Sequence, residues 1–406
     1  MTLVEFVPPT PHPLWKLCPQ MGITDVVVKV NPELTGLADP WRYETLSSIV
    51  SRLKSAGLNV VGLEGDPFDM TPIKEYGARV GDKSSSWRKE DSTLQLQLAT
   101  PTKNNPVKEN PATLREEALS HYRELLESMG KLGIKLLCYN FMVGKGWSRT
   151  GVREGRGGAK ATYFSLRVGE KSSSWRKDEQ IPLSNSNSKL QLNADQVWAN
   201  YEYFIKAVMP TAEKCGVRMA LHPDDPCLPS LGGYARIFGS IEAYDRAYAL
   251  YPSPSNAVTF CQANFKLMFT NSNCHNCSQI LNTNFSAHSA SLRLCVKNNP
   301  VNPVNPVKTL EDAARHFGKR IAFIHVRDVE GTKEDFTELF HDQGDTDQFA
   351  LMRTYHELGL DVPVRGDHVP EMAYDRVLTP DGTPGYFTLG RLFANGYLKA
   401  LLRGSE

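Results

Sequence analysis

Two histidines, a cysteine and an aspartate stand at the ends of four apolar runs. His222 opens HPDDP after VRMAL, Cys261 ends AVTFC, His325 closes IAFIH, and Asp367 with His368 ends VPVRGDH. Imidazole, thiolate and carboxylate are the donors that hold first-row divalent cations. If the runs are parallel strands of one barrel, their C-termini open on one face and bring these residues together there. A thiolate favours Zn²⁺ or Fe²⁺, whereas a carboxylate and an oxygen-rich substrate suit Mn²⁺, so donor types alone leave the metal open.

The elements needed to position such a quartet are legible along the chain. Residues 14–17, 26–29, 60–64, 136–140, 218–222, 257–261, 322–326 and 362–367 read as strands, near-continuous in Val, Ile and Leu as buried parallel strands are. Amphipathic stretches at 43–56, 112–132, 194–215, 309–317, 347–358 and 387–402 read as helices. Gly57, Gly133, Gly216, Gly318 and Gly359 stand just past the ends of five of them, where a helix is expected to stop. Eight strands alternating with helices predict an α/β chain folded as a (β/α)₈ TIM barrel. A doubly wound open sheet fits less well, because no Gly-rich phosphate loop follows an early strand.

At 406 residues the chain suits one large barrel domain spanning 1–406, and its 41% apolar content is enough for a sizeable core. Lys and Arg (46) nearly balance Asp and Glu (45), so no global field draws in nucleic acid or an anionic membrane. The beginning of the sequence shows no secretory signal pattern, and no apolar run approaches a membrane span. The eight cysteines form no compact framework. A cytoplasmic, reducing location is the expectation.

Three segments break the rhythm: 79–109, 167–193 and 269–308. The first two share RVGDKSSSWRKEDSTLQLQL and RVGEKSSSWRKDEQ, and the third ends NNPVNPVNPVK, echoing NNPVKENP in the first. They do not tile the chain as stacked repeats would, and they read as polar, disordered insertions. One origin to test is translated non-coding sequence such as retained introns, which a mature transcript lacking them would support. Cys274, Cys277, His288 and Cys295 in the third superficially resemble a zinc knuckle, with a spacing that fits no standard module.

Seven motifs taken in order carry a more specific signal: CYNFMVGKGWSRT (138–150), VRMALHPDDP (217–226), TFCQANFKLM (259–268), FIHVRDV (323–329), FTELFHDQGDTD (336–347), VRGDH (364–368) and PGYFTLGRL (384–392). With LEGDPFDMTPIK (63–74) and GRGGA (155–159), their succession resembles the mannonate dehydratase family, from residue 14 to the C-terminus. The resemblance implies a xylose-isomerase-like barrel that dehydrates D-mannonate to 2-keto-3-deoxy-D-gluconate in hexuronate catabolism, usually with Mn²⁺ and with Fe²⁺ as a second candidate. By motif it implies His222, Cys261, His325 and Asp367 as metal ligands, His368 and Tyr386 as the proton-transfer pair, and Arg327 near the substrate. Which of His368 and Tyr386 is acid and which is base is left open. Tyr139, Asn140, Trp147 and Asp224 are candidate contacts to the sugar acid, with core packing the plain alternative for Tyr139 and a turn cap for Asp224 and Asp225. His341, Asp345 and Asp347 resemble a family loop, the two aspartates being equally readable as helix caps. A small-molecule partner and a homo-oligomer complete the expectation.

Three departures from the family pattern stand in the site motifs, one of them Val369 after His368, where glycine is common. Gly366 stands where proline is common, which would loosen the approach to Asp367. Ala263 stands where glycine is common, which would strain the turn if φ there were positive. Two other readings stand beside the dehydratase. One is a sugar isomerase or epimerase on the same barrel, whose carboxylate-rich metal sites do not use a residue like Cys261. The other is an inactive homologue disrupted by its insertions.

Overall fold

The computed structural model of the chain describes residues 1–30, 39–78, 110–144, 146–166, 191–270, 307 and 309–405. The strands in chain order are β1 (Thr2–Leu3), β2 (Glu5–Val7), β3 (Asp25–Lys29), β4 (Asn59–Glu64), β5 (Leu136–Tyr139), β6 (Gly151–Glu154), β7 (Lys160–Ser165), β8 (Arg218–Leu221), β9 (Ser230–Leu231), β10 (Tyr234–Ala235), β11 (Asn256–Cys261), β12 (Ile321–Val326), β13 (Val329–Thr332), β14 (Asp335–Glu338) and β15 (Pro363–Gly366).

Nine of them form one sheet in the order β1-β15-β12-β11-β8-β5-β4-β3-β2, every join parallel. β1 and β2 are halves of a single N-terminal strand interrupted at Val4. The first half pairs with β15 (Thr2 with Pro363) and the second with β3 (Glu5 with Val26), so the sheet closes into an eight-stave barrel. β11 and β12 are buried at every position, which explains their unbroken apolar runs.

The first stave departs from expectation. Residues 14–17 are not a strand but part of a helix, Leu14–Gln20, that buries Leu14, Trp15 and Cys18. That spacing is helical, and a short apolar run does not reveal its period. The true first strand lies upstream in TLVEFV, half of it hydrogen-bonded to the last strand of the chain.

Helix ends follow local chemistry. The helix Pro111–Leu132 starts on the Asn110 side chain and stops at Gly133 (φ 74°); Ala194–Cys215 starts in an Asn193–Gln196 capping box and stops at Gly216 (φ 63°). Leu310–Phe317 starts in a Thr309–Asp312 box. Each downstream edge of the three irregular segments is therefore a helix cap. Gln191–Asn193, read as insert, belong to the barrel: Leu192 bridges to Tyr234 and Asn193 is the cap. Phe269 and Thr270 finish the helix Gln262–Met268. Val307 is also described and buried in the core; the remainder of the insertions, with the cysteines and histidine of the supposed knuckle, lies outside the described residues.

A second sheet, antiparallel in the order β13-β14-β7-β6, is made from the segments that follow β5 and β12. It stands at the C-terminal mouth, and the eight-strand sequence pattern does not include it. Among the described residues, no helix is long and apolar enough to cross a membrane.

Candidate active site

Adjacent staves β8, β11, β12 and β15 deliver the quartet. Cys261 and His325 are ladder partners, His222 follows β8, and Asp367 follows β15. One donor atom from each of His222, Cys261, His325 and Asp367 lies within 4.8 Å of all the others. Cys261, His325 and Asp367 are buried and His222 half-buried. His222 Nδ1 lies 2.8 Å from the carbonyl of Pro223, which fixes the ring and leaves Nε2 as its lone-pair nitrogen. His325 is fully buried, yet neither ring nitrogen has a hydrogen-bond partner. Buried polar atoms are normally satisfied, so this ring is built for a partner of another kind.

Electrostatics agree. Burial alone would raise the Cys261 thiol, but the imidazoles of His222 and His325 and the charge of Arg327 bring it down to about 5. Burial is likewise outweighed at Asp367, which Arg365 holds well below the usual carboxylate range. A thiolate, a carboxylate and two imidazoles around one point fit a divalent cation.

Beside the quartet lies a closed square of charge. Arg149 donates to both oxygens of Asp225 (2.7 and 2.9 Å) and to Glu338 Oε1 (2.7 Å). Arg327 donates to both oxygens of Glu338 (2.7 and 2.6 Å), to Asp225 Oδ2 (2.9 Å) and to Asn264 Oδ1 (2.7 Å), and its Nη1 lies 3.7 Å from Cys261 Sγ. Burial would raise both carboxyls, but the guanidiniums hold them down, Glu338 at about 2.

His368 hangs from this square. Its Nδ1 is 3.1 Å from Glu338 Oε1 and 3.1 Å from Arg149 Nη2, and its Nε2 is 3.8 Å from Asp367 Oδ1. Its φ is 43°, a left-handed conformation that costs a non-glycine residue about 1–3 kcal/mol and clusters at functional sites. The Tyr386 hydroxyl donates to Asp367 Oδ1 at 3.3 Å. Burial, and then the charge of Asp367, hold its phenol well above the ordinary range, so it is a protonated donor. Trp147 packs against both rings, 5.1 Å from His368 and 6.3 Å from Tyr386.

A family model described as D-mannonate dehydratase (UxuA) matches residues 88–276 and 270–406. The chain belongs to the D-mannonate dehydratase family. Mannonate dehydratases from Streptococcus agalactiae serotype Ia and Brachyspira hyodysenteriae are each 25% identical to it, over 392 and 409 residues. Those matches span 91% and 95% of this chain and 90% and 92% of the relatives. The solved mannonate dehydratase of Streptococcus suis serotype 2 shares the fold, with a TM-score of 0.68 at 22% identity over 100% of this chain and 93% of that one.

Within this family fold, His222, Cys261, His325, Asp367, His368, Tyr386 and Trp147 converge. Other residues expected at the sugar acid are engaged elsewhere. Tyr139 is buried among Phe204 and neighbouring aromatics, its hydroxyl 3.1 Å from that of Tyr201; this strand position faces the helix Ala194–Cys215 and is core. Arg327 is fully buried and committed to Glu338, Asp225 and Asn264, so its reach is to Cys261 rather than to a free ligand. Asp224 accepts from the Phe238 amide at 2.7 Å and faces Arg236 at 3.7 Å, tying a loop. Asn140 accepts from Lys74 and from the Met142 amide, both at 3.1 Å. Asp347 caps the helix Gln348–Glu357, Asp345 pairs with Lys266, and His341 lies 2.8 Å from the Val326 carbonyl.

Neither Ala263 nor Gly366 is strained in this fold. Ala263 lies within the helix Gln262–Met268 and is not a positive-φ residue. Gly366 is laddered to Val326, and a Cβ there would stand 3.1 Å from His341 and 3.2 Å from Ala394, so the glycine permits close packing. Glu64, Arg149, Asn264, Glu338 and Arg365 were not singled out. All five stand inside quoted motifs, but only their buried pairing, invisible in sequence, distinguishes them from surface polar groups.

Proposed function

We propose that this chain dehydrates D-mannonate to 2-keto-3-deoxy-D-gluconate and water, with a divalent cation held by His222, Cys261, His325 and Asp367. Mn²⁺ is the first candidate and Fe²⁺ the second. When bound, the ion supplies positive charge that stabilises the negative charge developing on the substrate carboxylate side as C2 loses its proton. The observation that carries this reading is the convergence of four metal donors with His368 and Tyr386, both of which flank the ligand Asp367.

Roles for the proton-transfer pair follow from their surroundings. With its Nδ1 proton facing Glu338, His368 presents the Nε2 lone pair and takes the C2 proton. Tyr386, kept protonated, donates to the departing C3 hydroxyl. The C2–H pair becomes the C2–C3 double bond as the C3–O bond breaks; water leaves, and the resulting enol takes a proton at C3 and gives up the proton on its C2 oxygen to become the 2-keto acid. Each positioned group is worth about 10²–10⁴-fold. Trp147 walls the pocket. Arg327 steadies the thiolate and Glu338 rather than the sugar. A reducing cytosol suits a catalytic site that depends on a free thiolate.

The test is direct. The chain, with and without its three insertions, is stripped with chelator, reloaded with Mn²⁺ or Fe²⁺ under reducing conditions, and supplied with mannonate. Metal-dependent 2-keto-3-deoxygluconate is expected. A metal-loaded, folded chain that yields none would overturn the assignment, and product only after trimming would confine the activity to the barrel without its insertions.

A further inference from the structure

We infer that Glu64 is a positioning residue for the metal centre: it accepts the His325 Nε2 proton and thereby turns Nδ1 toward the ion. The inference rests on the quartet proposed above as the metal site. His325 Nδ1 faces Asp367 Oδ2 at 3.6 Å, and Nε2 faces Glu64 Oε2 at 3.7 Å. A neutral imidazole has one proton to give. Because Asp367 belongs to the same ligand set, the nitrogen on its side supplies the lone pair, and the proton belongs on the side of Glu64. A carboxylate behind a ligating histidine fixes both tautomer and ring angle. Phe323 sets its edge against the same ring, centroids 4.5 Å apart.

Arg365 makes this arrangement one unit. It donates to both oxygens of Glu64 (2.6 and 3.1 Å) and to Asp367 Oδ1 (2.9 Å). One guanidinium thus spans from a metal ligand to the group behind another. Glu64, Cys138 and His325 also bring donor atoms within 4.8 Å of one another, which on donor type alone could be a second metal site. The guanidinium already bound to Glu64 disfavours a second dication there, and so the carboxylate is assigned as acceptor.

The experiment uses the full chain and Mn²⁺ alone. Affinity and stoichiometry are read by EPR titration, and the remote-nitrogen signal of coordinated imidazole by pulsed EPR, which follows the hydrogen bond at that nitrogen. Wild type is expected to bind one Mn²⁺. Glu64→Ala should weaken binding by about 10–100-fold and move the remote-nitrogen signal. Glu64→Gln, which keeps shape and an acceptor oxygen, should recover part of both and serves where the alanine variant does not fold. Cys138→Ala should leave affinity unchanged. Wild-type affinity and an unmoved signal in both Glu64 variants would overturn the inference. So would two Mn²⁺ per chain falling to one in Glu64→Gln and Cys138→Ala, which would make Glu64 a ligand. Because no readout uses mannonate, failure of the dehydratase reading shows separately, as intact metal binding without product.

Discussion

At the proposed metal quartet, His325 is fully buried with no hydrogen bond at either ring nitrogen, whereas the neighbouring square of Arg149, Arg327, Asp225 and Glu338 closes on itself through direct hydrogen bonds. Both clusters are water-poor and rich in charge. The first keeps the His325 ring in reserve for a ligand; the second closes chiefly on its own members. A buried donor left unmatched costs stability that only an incoming partner repays. A matched square contributes little net stability but becomes costly once one corner is removed. The quartet therefore reads as chemistry, and the square as the frame that holds His368 and Cys261 in place.

Replacing Cys261 or Asp367 by alanine should have the largest effect on activity. Metal retention after gel filtration should be lost, and with it several kcal/mol of transition-state stabilisation, about 10³-fold or more in kcat/KM. Retained metal and activity would break the distinction at its functional pole. Next, His368→Ala and Tyr386→Phe should each cost about 10²–10⁴-fold in kcat while metal content stays at one per chain. Near-normal turnover in either removes that residue from proton transfer.

The square is tested by stability. Glu338→Gln leaves two buried guanidiniums under-compensated and should destabilise the fold by about 3–5 kcal/mol, read by chemical denaturation. Its pH signature is distinct. Glu338 stands at about 2 in the folded chain against an ordinary 4.5. A carboxyl depressed on folding adds stability that is full above its unfolded value and fades as pH falls from 4.5 toward about 2. Thermal melts of the glutamine variant should show a flatter acid limb than wild type, and identical limbs would contradict the network. Smallest of all, Tyr139→Phe should cost about 1 kcal/mol through its bond to Tyr201 and leave KM for mannonate unchanged. A raised KM would return Tyr139 to the pocket.

Much of the fold is legible in the sequence. The clustering of His222, Cys261, His325 and Asp367 was readable from the strand ends that carry them, because parallel topology sends every strand C-terminus to one mouth. Helix stops at Gly133 and Gly216 were equally readable, since a left-handed cap is a local demand met by one residue type. The first stave was misread because LWKL does not declare its period and the true strand, TLVEFV, owes half its pairing to β15 at the other end of the chain.

What the tertiary structure alone decided is which polar groups are already paired. Arg327 and Tyr139 have the composition of ligand-binding residues, but the fold commits one to Glu338 and Asp225 and the other to Tyr201. Glu64, Arg149, Glu338 and Arg365 look like ordinary charges until burial makes their partners obligatory. Residue type and local order determine which donors exist and roughly where the chain turns. Only three-dimensional packing, which removes water and brings distant segments into contact, settles which of those donors stay free for chemistry.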